Sequence, residues 1–206
     1  MGKAELFSYL SAFVTIVLAL ALTNILQSAS VLIQARRHVR WDARPIIFAA
    51  IVFVALVSEF FSLWLNLSVT EVTMPRLLWL LTIPSLFAVL AYSALPSDVS
   101  ENAKDLSAFF EGERRLWVPL FSAITLLDWL RSADNAYASG ATVAQIARFT
   151  AVTVLPLMFL PAGIAFALLF FAKSKKLHWV ALIILSVWML WSTLSSSITV
   201  APGSGG

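Results

Sequence analysis

The sequence contains no cysteine and only two histidines, and these absences exclude several kinds of chemistry. Without cysteine there can be no disulfide, thiolate metal site, iron–sulfur cluster or thiol redox reaction. His38 and His178 are both expected at the cytoplasmic rim, so a haem or an intramembrane serine protease lacks the buried histidine that it needs. There is also no His-Glu-x-x-His motif, no Gly-rich phosphate loop and no Gly-x-Ser-x-Gly elbow. We therefore expect no cofactor and no enzymatic activity.

Charged side chains are also scarce, because they make up 12% of the 206 residues while 60% are hydrophobic. Soluble domains carry roughly 25% charged and 45–50% apolar residues. A soluble fold of this size could not hide so much apolar surface, whereas a bilayer removes that need. We expect one membrane domain over residues 1–200, followed by a flexible Gly/Ser-rich tail at 201–206. No aromatic-interleaved basic stripe is present, which excludes a nucleic-acid partner.

Long apolar segments predict an all-α integral membrane protein, a bundle of six transmembrane helices. The fourth segment is the least apolar, since its strictly apolar part ends at Leu130. Pro84 interrupts the third segment, and Pro156, Pro161 and Gly163 are expected kink points in the fifth. The six predicted spans are about 6–33, 46–67, 75–95, 116–135, 142–172 and 177–198.

One loop is predicted to form a helix of its own. From Asp98 to Phe110, apolar residues recur at helical spacing, and Asp98 with Glu101 resembles a capping box. The pattern predicts a short amphipathic helix on the cytoplasmic membrane surface, ending near Gly112. A solvated helix packed on the bundle is the alternative.

The distribution of basic residues predicts the orientation. The loops after the first, third and fifth spans hold ten of the 14 Lys and Arg, and the opposite side holds four. This places those three loops in the cytoplasm and both termini on the outer side of the membrane.

A basic collar with an aromatic anchor runs from Arg36 to Asp42, with the sequence Arg-Arg-His-Val-Arg-Trp-Asp. Attraction to anionic lipid headgroups accounts for such a collar, and the same interpretation extends to His178. Trp41, Trp117 and Trp179 fall at predicted cytoplasmic interfaces. The candidate headgroup contacts are Arg36, Arg37, Arg40, Trp41, Lys173, Lys175 and Lys176.

This collar and the helix layout resemble those of bacterial multi-pass inner-membrane proteins whose Arg-rich first cytoplasmic loop ends in Trp-Asp. The likeness covers about the first half of the chain. It implies the bacterial inner membrane and carries no activity with it.

Charges inside the predicted spans are the main functional clue, because each is costly unless it is paired or hydrated. Glu59 in the second span, Asp128 and Arg131 in the fourth and Arg148 in the fifth fall in one layer of the outer leaflet. They predict a polar cavity open to the outside, in which an acid binds a cation or proton and an arginine holds an anion. The alternative is an ion-pair network that fixes the register of the helices.

Small and polar residues form one face of the first span, typical of a close helix-packing seam. A permeation path is the alternative, and Asn24 and Gln27 are the polar candidates on or beside this face. The face consists of Ser8, Ser11, Ala12, Thr15, Ala19, Thr23, Gln27 and Ser30.

Two functions fit these patterns. The first, which we favour, is a small channel or transporter for an ion, proton or small polar solute, with the prolines supplying its hinges. The second is a non-catalytic accessory or scaffold subunit, in a homo-oligomer or with other membrane subunits. The state of the charged layer distinguishes them, since a site needs water or an unpaired group and a scaffold needs its charges satisfied.

Overall fold

The structure, a computed structural model, describes residues 3–65, 74–98 and 104–198. The tail, the loop between the second and third spans and residues 99–103 lie outside the described residues, so the predictions there are untested. The helices are α1 Lys3–Gln34, α2 Ala43–Leu65, α3 Met74–Ala94, α4 Leu106–Ala138, α5 Val143–Phe149, α6 Leu160–Phe171 and α7 Lys175–Ile198. A π-helical segment, Thr150–Phe159, joins α5 to α6, and two-residue strands β1 Val39–Arg40 and β2 Lys104–Asp105 pair in parallel.

The all-α prediction is confirmed, and five stretches are long and apolar enough to cross a membrane. They lie in α1, α2, α3, the continuous run from α5 to α6, and α7, which fits a membrane-embedded chain. The prediction of six such spans is met only in part. Although α4 has 33 residues, charged side chains at both ends lower its hydropathy below that of a spanning helix.

The prediction of a separate surface helix that ends near Gly112 is wrong. Helix α4 begins at Leu106 and continues through Gly112 without a break. Its N-cap is Asp105, whose carboxylate accepts hydrogen bonds from the amides of Ser107 and Ala108. The apolar residues of the predicted surface helix thus form the first turns of a bundle helix, with Leu106 and Phe110 fully buried.

Helix α1 packs mainly against α3, through a face other than the predicted face of small and polar residues. Leu18, Ala21 and Ile25 lie on the buried face, at spacings of three and four residues. Of the predicted seam, Ala12, Ala19, Thr23, Gln27 and Ser30 are exposed, so a seam inside this chain is wrong. Larger apolar side chains make more van der Waals contact with α3 than the small residues could.

The helices alternate in direction, so that three connections lie at one end of the bundle. Strand β1 follows α1 and pairs with β2, which precedes α4. The start of α2 contacts both α4 and His178 near the start of α7. At the other end of α2, Ser58 lies 3.1 Å from Thr193 late in α7. Helices α4 and α7 therefore both pack against α2 and run in the same direction as α2.

Proline acts differently in two helices. Pro84 is buried inside α3, which remains α-helical along its whole length. Pro156 lies within the π-helical segment, where regular α-helical hydrogen bonding is replaced by wider turns. Pro161 stands in the first turn of α6, directly after the π-helical segment.

Candidate functional site: two ion clusters

Two charge clusters join the helices, one near each end of α2. The Glu59 cluster consists of Glu59, Ser62, Asp128 and Arg131. The Arg44 cluster consists of Asp42, Arg44, Glu111, Arg114 and His178. Arg44 and Glu59 are 15 positions apart, about 22 Å along a helix at a rise of 1.5 Å per residue.

The Glu59 cluster contains three of the four charges predicted to share a layer. Arg131 forms a two-pronged contact with Glu59, with Nη1–Oε1 at 2.5 Å and Nη2–Oε2 at 2.9 Å. Its Nη2 also donates to Asp128 at 2.5 Å and to Ser62 at 3.3 Å. The planar guanidinium suits this arrangement, because its donors match both oxygens of a carboxylate.

Burial is uneven within this cluster. The side chain of Glu59 is 6% exposed and that of Arg131 is 15% exposed, whereas Asp128 is 50% exposed. Arg148 is an exposed residue of α5, and the structure shows it in no ion pair with the other three. One arginine thus faces two carboxylates, and the formal charge of the contacting groups is −1.

The weaker polar candidates on α1 do not join this cluster. Asn24 donates to the carbonyl of Ala91 on α3 at 3.4 Å, which gives it a packing role. Gln27 is exposed on the outer side of α1.

The Arg44 cluster was not predicted as a site, and its central residue is almost completely buried. Arg44 is 1% exposed, and each of its five N–H groups has a partner within 3.1 Å. Nε and Nη2 donate to Asp42, Nη2 also to Ser107, and Nη1 to Glu111 and toward His178. The guanidinium also lies 4.8 Å from the ring centre of Phe110, a cation–π distance.

Arg114 fastens α4 to the end of α6. Its Nη1 donates to the carbonyl oxygens of Leu169 at 2.6 Å and Ala172 at 2.8 Å, which α6 leaves free at its C-terminus. Its Nε lies 2.9 Å from Glu111, a charge contact whose angle is poor for a hydrogen bond. The cluster therefore ties together α2, α4, α6 and α7.

His178 is fully buried between the two arginines, so its prediction as a headgroup contact is wrong. Nε2 lies 2.9 Å from the carbonyl of Ala172, and Nδ1 lies 3.1 Å from Arg44 Nη1. Nε2 also lies 3.0 Å from Arg114 Nη1, and Nδ1 lies 3.3 Å from Glu111 Oε1, so each ring nitrogen faces one donor and one acceptor. The formal charges of the two arginines balance those of Asp42 and Glu111.

Within this cluster, the environment of Asp42 favours its ionised form. The hydrogen bonds from Arg44 lower the pKa of Asp42 below its ordinary value, even though burial opposes this. The carboxylate of Asp42 accepts from the amide of Arg44 at 3.0 Å as well as from its side chain. Asp42 is therefore held as an anion at the start of α2.

Trp117 lies beside this cluster, and its prediction as an interface residue is wrong. It is 1% exposed and stacks on Phe48 with ring centres 4.5 Å apart. Its indole N–H donates to the carbonyl of Ser93 at 2.9 Å, which allows the ring to be buried without an unpaired donor. Trp41 and Trp179 are 50% and 38% exposed.

The predicted headgroup residues lie around the Arg44 cluster on the same end of the bundle. Arg40 contacts Asp105 at 3.5 Å and remains 79% exposed, and Trp41 donates to the carbonyl of Arg36 at 3.3 Å. Exposed basic side chains thus surround a buried, balanced core. The exposed bases are Arg36, Arg37, Arg40, Lys173, Lys175 and Lys176.

Comparisons with known proteins do not assign a family. No protein-family model, curated protein or solved structure matches this chain. Across residues 3–65, 74–98 and 104–198, no group of three or more His, Cys, Asp or Glu side chains could hold a metal ion.

Proposed function

We propose that the chain is a non-catalytic scaffold or accessory subunit embedded in a membrane as a six-helix bundle. Five helices have the length and hydropathy of spans, and α4 runs alongside them between the two ends of the bundle. The exposed bases at one end favour a cytoplasmic location for the Arg44 cluster. The basic collar and its resemblance favour the bacterial inner membrane.

The observation that carries this proposal is the use of both arginines as helix bridges. Arg131 is occupied by Glu59, Asp128 and Ser62, and Arg44 has no donor left for a ligand. Paired charges of this kind fix the relative positions of helices. A binding site would instead keep a buried donor or acceptor available.

The exposed face of α1 is the surface that a partner subunit would cover. Thr23 and Gln27 are polar residues that point away from the bundle within an apolar span. Small and polar residues of this kind let a second helix approach closely and form hydrogen bonds across the contact.

The test is extraction from the native membrane in mild detergent, followed by mass spectrometry of the intact assembly. We expect a stoichiometric complex, a homo-oligomer or a complex with another subunit, that dissociates when Thr23→Leu and Gln27→Leu are combined. Ser85→Leu is the matched control, because Ser85 is an exposed α3 residue whose hydroxyl bonds to the carbonyl four positions earlier, as Thr23 does. A monomer without a stoichiometric partner would contradict the scaffold role.

Cation or proton transport is the second candidate, and one observation favours it. Asp128 is half exposed and its cluster has a formal charge of −1, so the carboxylate could bind a cation or a proton. Flux into proteoliposomes that Asp128→Asn abolishes, while the variant keeps the wild-type melting temperature, would establish transport.

A further inference from the structure

A lateral groove lies between α4 and the run formed by the π-helical segment and α6. It has a volume of about 380 Å³ and opens to the side of the bundle. Ser122 and Thr125 on its α4 wall donate back to their own helix at 2.7 and 2.9 Å, so they offer no free hydroxyl hydrogen to a ligand. Phe166 and Phe170 belong to the opposite wall. The groove is therefore suited to an apolar ligand.

Gly163 leaves part of this groove empty. A Cβ atom at this position would meet no atom within 4 Å outside its own helix. The lining residues follow α4 from Val118 to Thr125, about 10 Å, and continue along α6 to Phe171. The volume falls in the range of roughly 300–1,000 Å³ that is typical of small-ligand sites.

At one end of the groove, basic residues lie close in the chain to its lining residues. Arg114, about one turn before the lining residue Val118, bonds to the carbonyls of Leu169 and Ala172, which flank the lining residues Phe170 and Phe171. Arg115 and Lys173, which come next to these residues in the chain, are both exposed. Glu113 is the nearby acid of α4 outside the Arg44 cluster. The balance of charge at this end favours an anion.

We propose that the groove holds one acyl chain of an anionic phospholipid whose phosphate is bound by Arg115 and Lys173. Membrane lipid is the solvent at this depth, and an acyl chain has the apolar surface that the groove requires. The acyl chain alone would select no particular lipid, because it passes from one apolar environment, the bilayer, into another, the groove. The headgroup therefore provides the selectivity, at about five-fold per basic residue.

The experiment uses purified, delipidated protein in a non-ionic detergent, titrated with phosphatidylglycerol or phosphatidylethanolamine of identical acyl chains. Native mass spectrometry then counts the lipids that survive stepwise removal of detergent. We expect one phosphatidylglycerol to be retained per chain, with a preference over phosphatidylethanolamine of about 25-fold for two basic residues.

Two variants separate the groove from the headgroup site. Gly163→Leu fills the groove and should reduce the retention of both lipids, and Ala167→Leu, another exposed lining residue, is the second test if that variant misfolds. Arg115→Gln with Lys173→Gln should lower phosphatidylglycerol retention to the level of phosphatidylethanolamine. The controls are Ile164→Phe, at an exposed position beside the groove, and Arg36→Gln with Arg37→Gln, which removes two charges from another loop.

This inference rests on the membrane embedding of the proposed function and not on the scaffold role. Equal lipid retention in wild type and both groove-filling variants would overturn the groove site alone. A loss of retention in the Arg36 and Arg37 control as large as in the Arg115 and Lys173 variant would also overturn it, since the binding would then be a general surface effect. A chain that stays monodisperse in water without detergent would overturn the membrane embedding as well.

Discussion

Removal of the Arg44 side chain tests whether the Arg44 cluster stabilises the bundle. Arg44→Met keeps an unbranched stem without the guanidinium and leaves Asp42, Glu111 and His178 without their shared donor. Breaking a buried ion pair by removing one partner costs about 3–5 kcal/mol of unfolding free energy. The lower end applies here, because Asp42 and Glu111 are 15% and 35% exposed and can regain water.

A loss of about 3 kcal/mol corresponds to a fall in melting temperature of roughly 6–12 °C for a chain of this size. Thermal unfolding in detergent micelles, followed by tryptophan fluorescence, measures it. Arg44→Lys should give a smaller fall, since it keeps the charge and loses the planar fork. Arg37→Met is the matched control, because it removes an exposed arginine of the preceding loop and should change stability by less than about 0.5 kcal/mol.

The double variant Arg44→Met with Glu111→Gln separates pairing from lost packing. If the cluster stabilises through its charges, Glu111→Gln should cost less in the Arg44→Met background than in the wild type. A melting temperature of Arg44→Met equal to that of the Arg37→Met control would refute the reasoning, as would strictly additive effects of the two substitutions.

Three further predictions concern the same end of the bundle. Trp117→Ala should cost about 3–5 kcal/mol of unfolding free energy because it empties a buried stack, whereas Trp179→Ala, at a 38% exposed position, should cost far less in the same melting assay. Asp105→Ala should remove the cap of α4 and lower the free energy of unfolding by about 1 kcal/mol. Asp105→Asn, which can still cap, should keep most of that free energy. Equal losses of stability in the two variants would contradict a capping role. The lowered pKa of Asp42 predicts a contribution that is complete above its unfolded pKa of about 3.9 and is lost as the pH falls through the lower folded pKa. Melting curves between about pH 5 and 2 should show a drop that is smaller in Asp42→Asn, and identical pH profiles would contradict it.

Local patterns in the sequence were sufficient to predict the position of most helices, but not which face of a helix is buried. Apolar length predicts α1, α2, α3 and α7 closely, because a span needs about 20 such residues in sequence. The start of α4 was missed because the residues up to Gly112 were assigned to a separate surface helix and Arg114 and Arg115 to the loop before the fourth span. Which face of α1 is buried depends on the shape of α3, and periodicity within one helix does not contain that information.

Ion pairs, too, were predictable only where the partners are close in sequence or lie at a depth that can be counted along a span. Asp128 and Arg131 are three positions apart on one helix, so their contact follows from local spacing, and Glu59 was placed at the same depth by counting residues. Arg44 and His178 are 134 positions apart, and each stands among exposed bases that resemble an ordinary cytoplasmic collar. The i,i+3 pair of Glu111 and Arg114 was the available signal of a structured cluster.

The spacing of the two clusters bears on the choice between scaffold and transporter. The hydrocarbon core of a bilayer is about 30 Å thick, and Arg44 and Glu59 are about 22 Å apart along α2. If exposed bases hold the Arg44 cluster at the interface, the Glu59 cluster lies within the hydrocarbon layer, where its formal charge of −1 is costly. A basic residue of a partner, a bound cation or a proton on Asp128 would each remove that cost. The scaffold role requires a basic residue of a partner, whereas transport requires a bound cation or a proton. The two roles therefore differ in what neutralises the half-exposed carboxylate of Asp128.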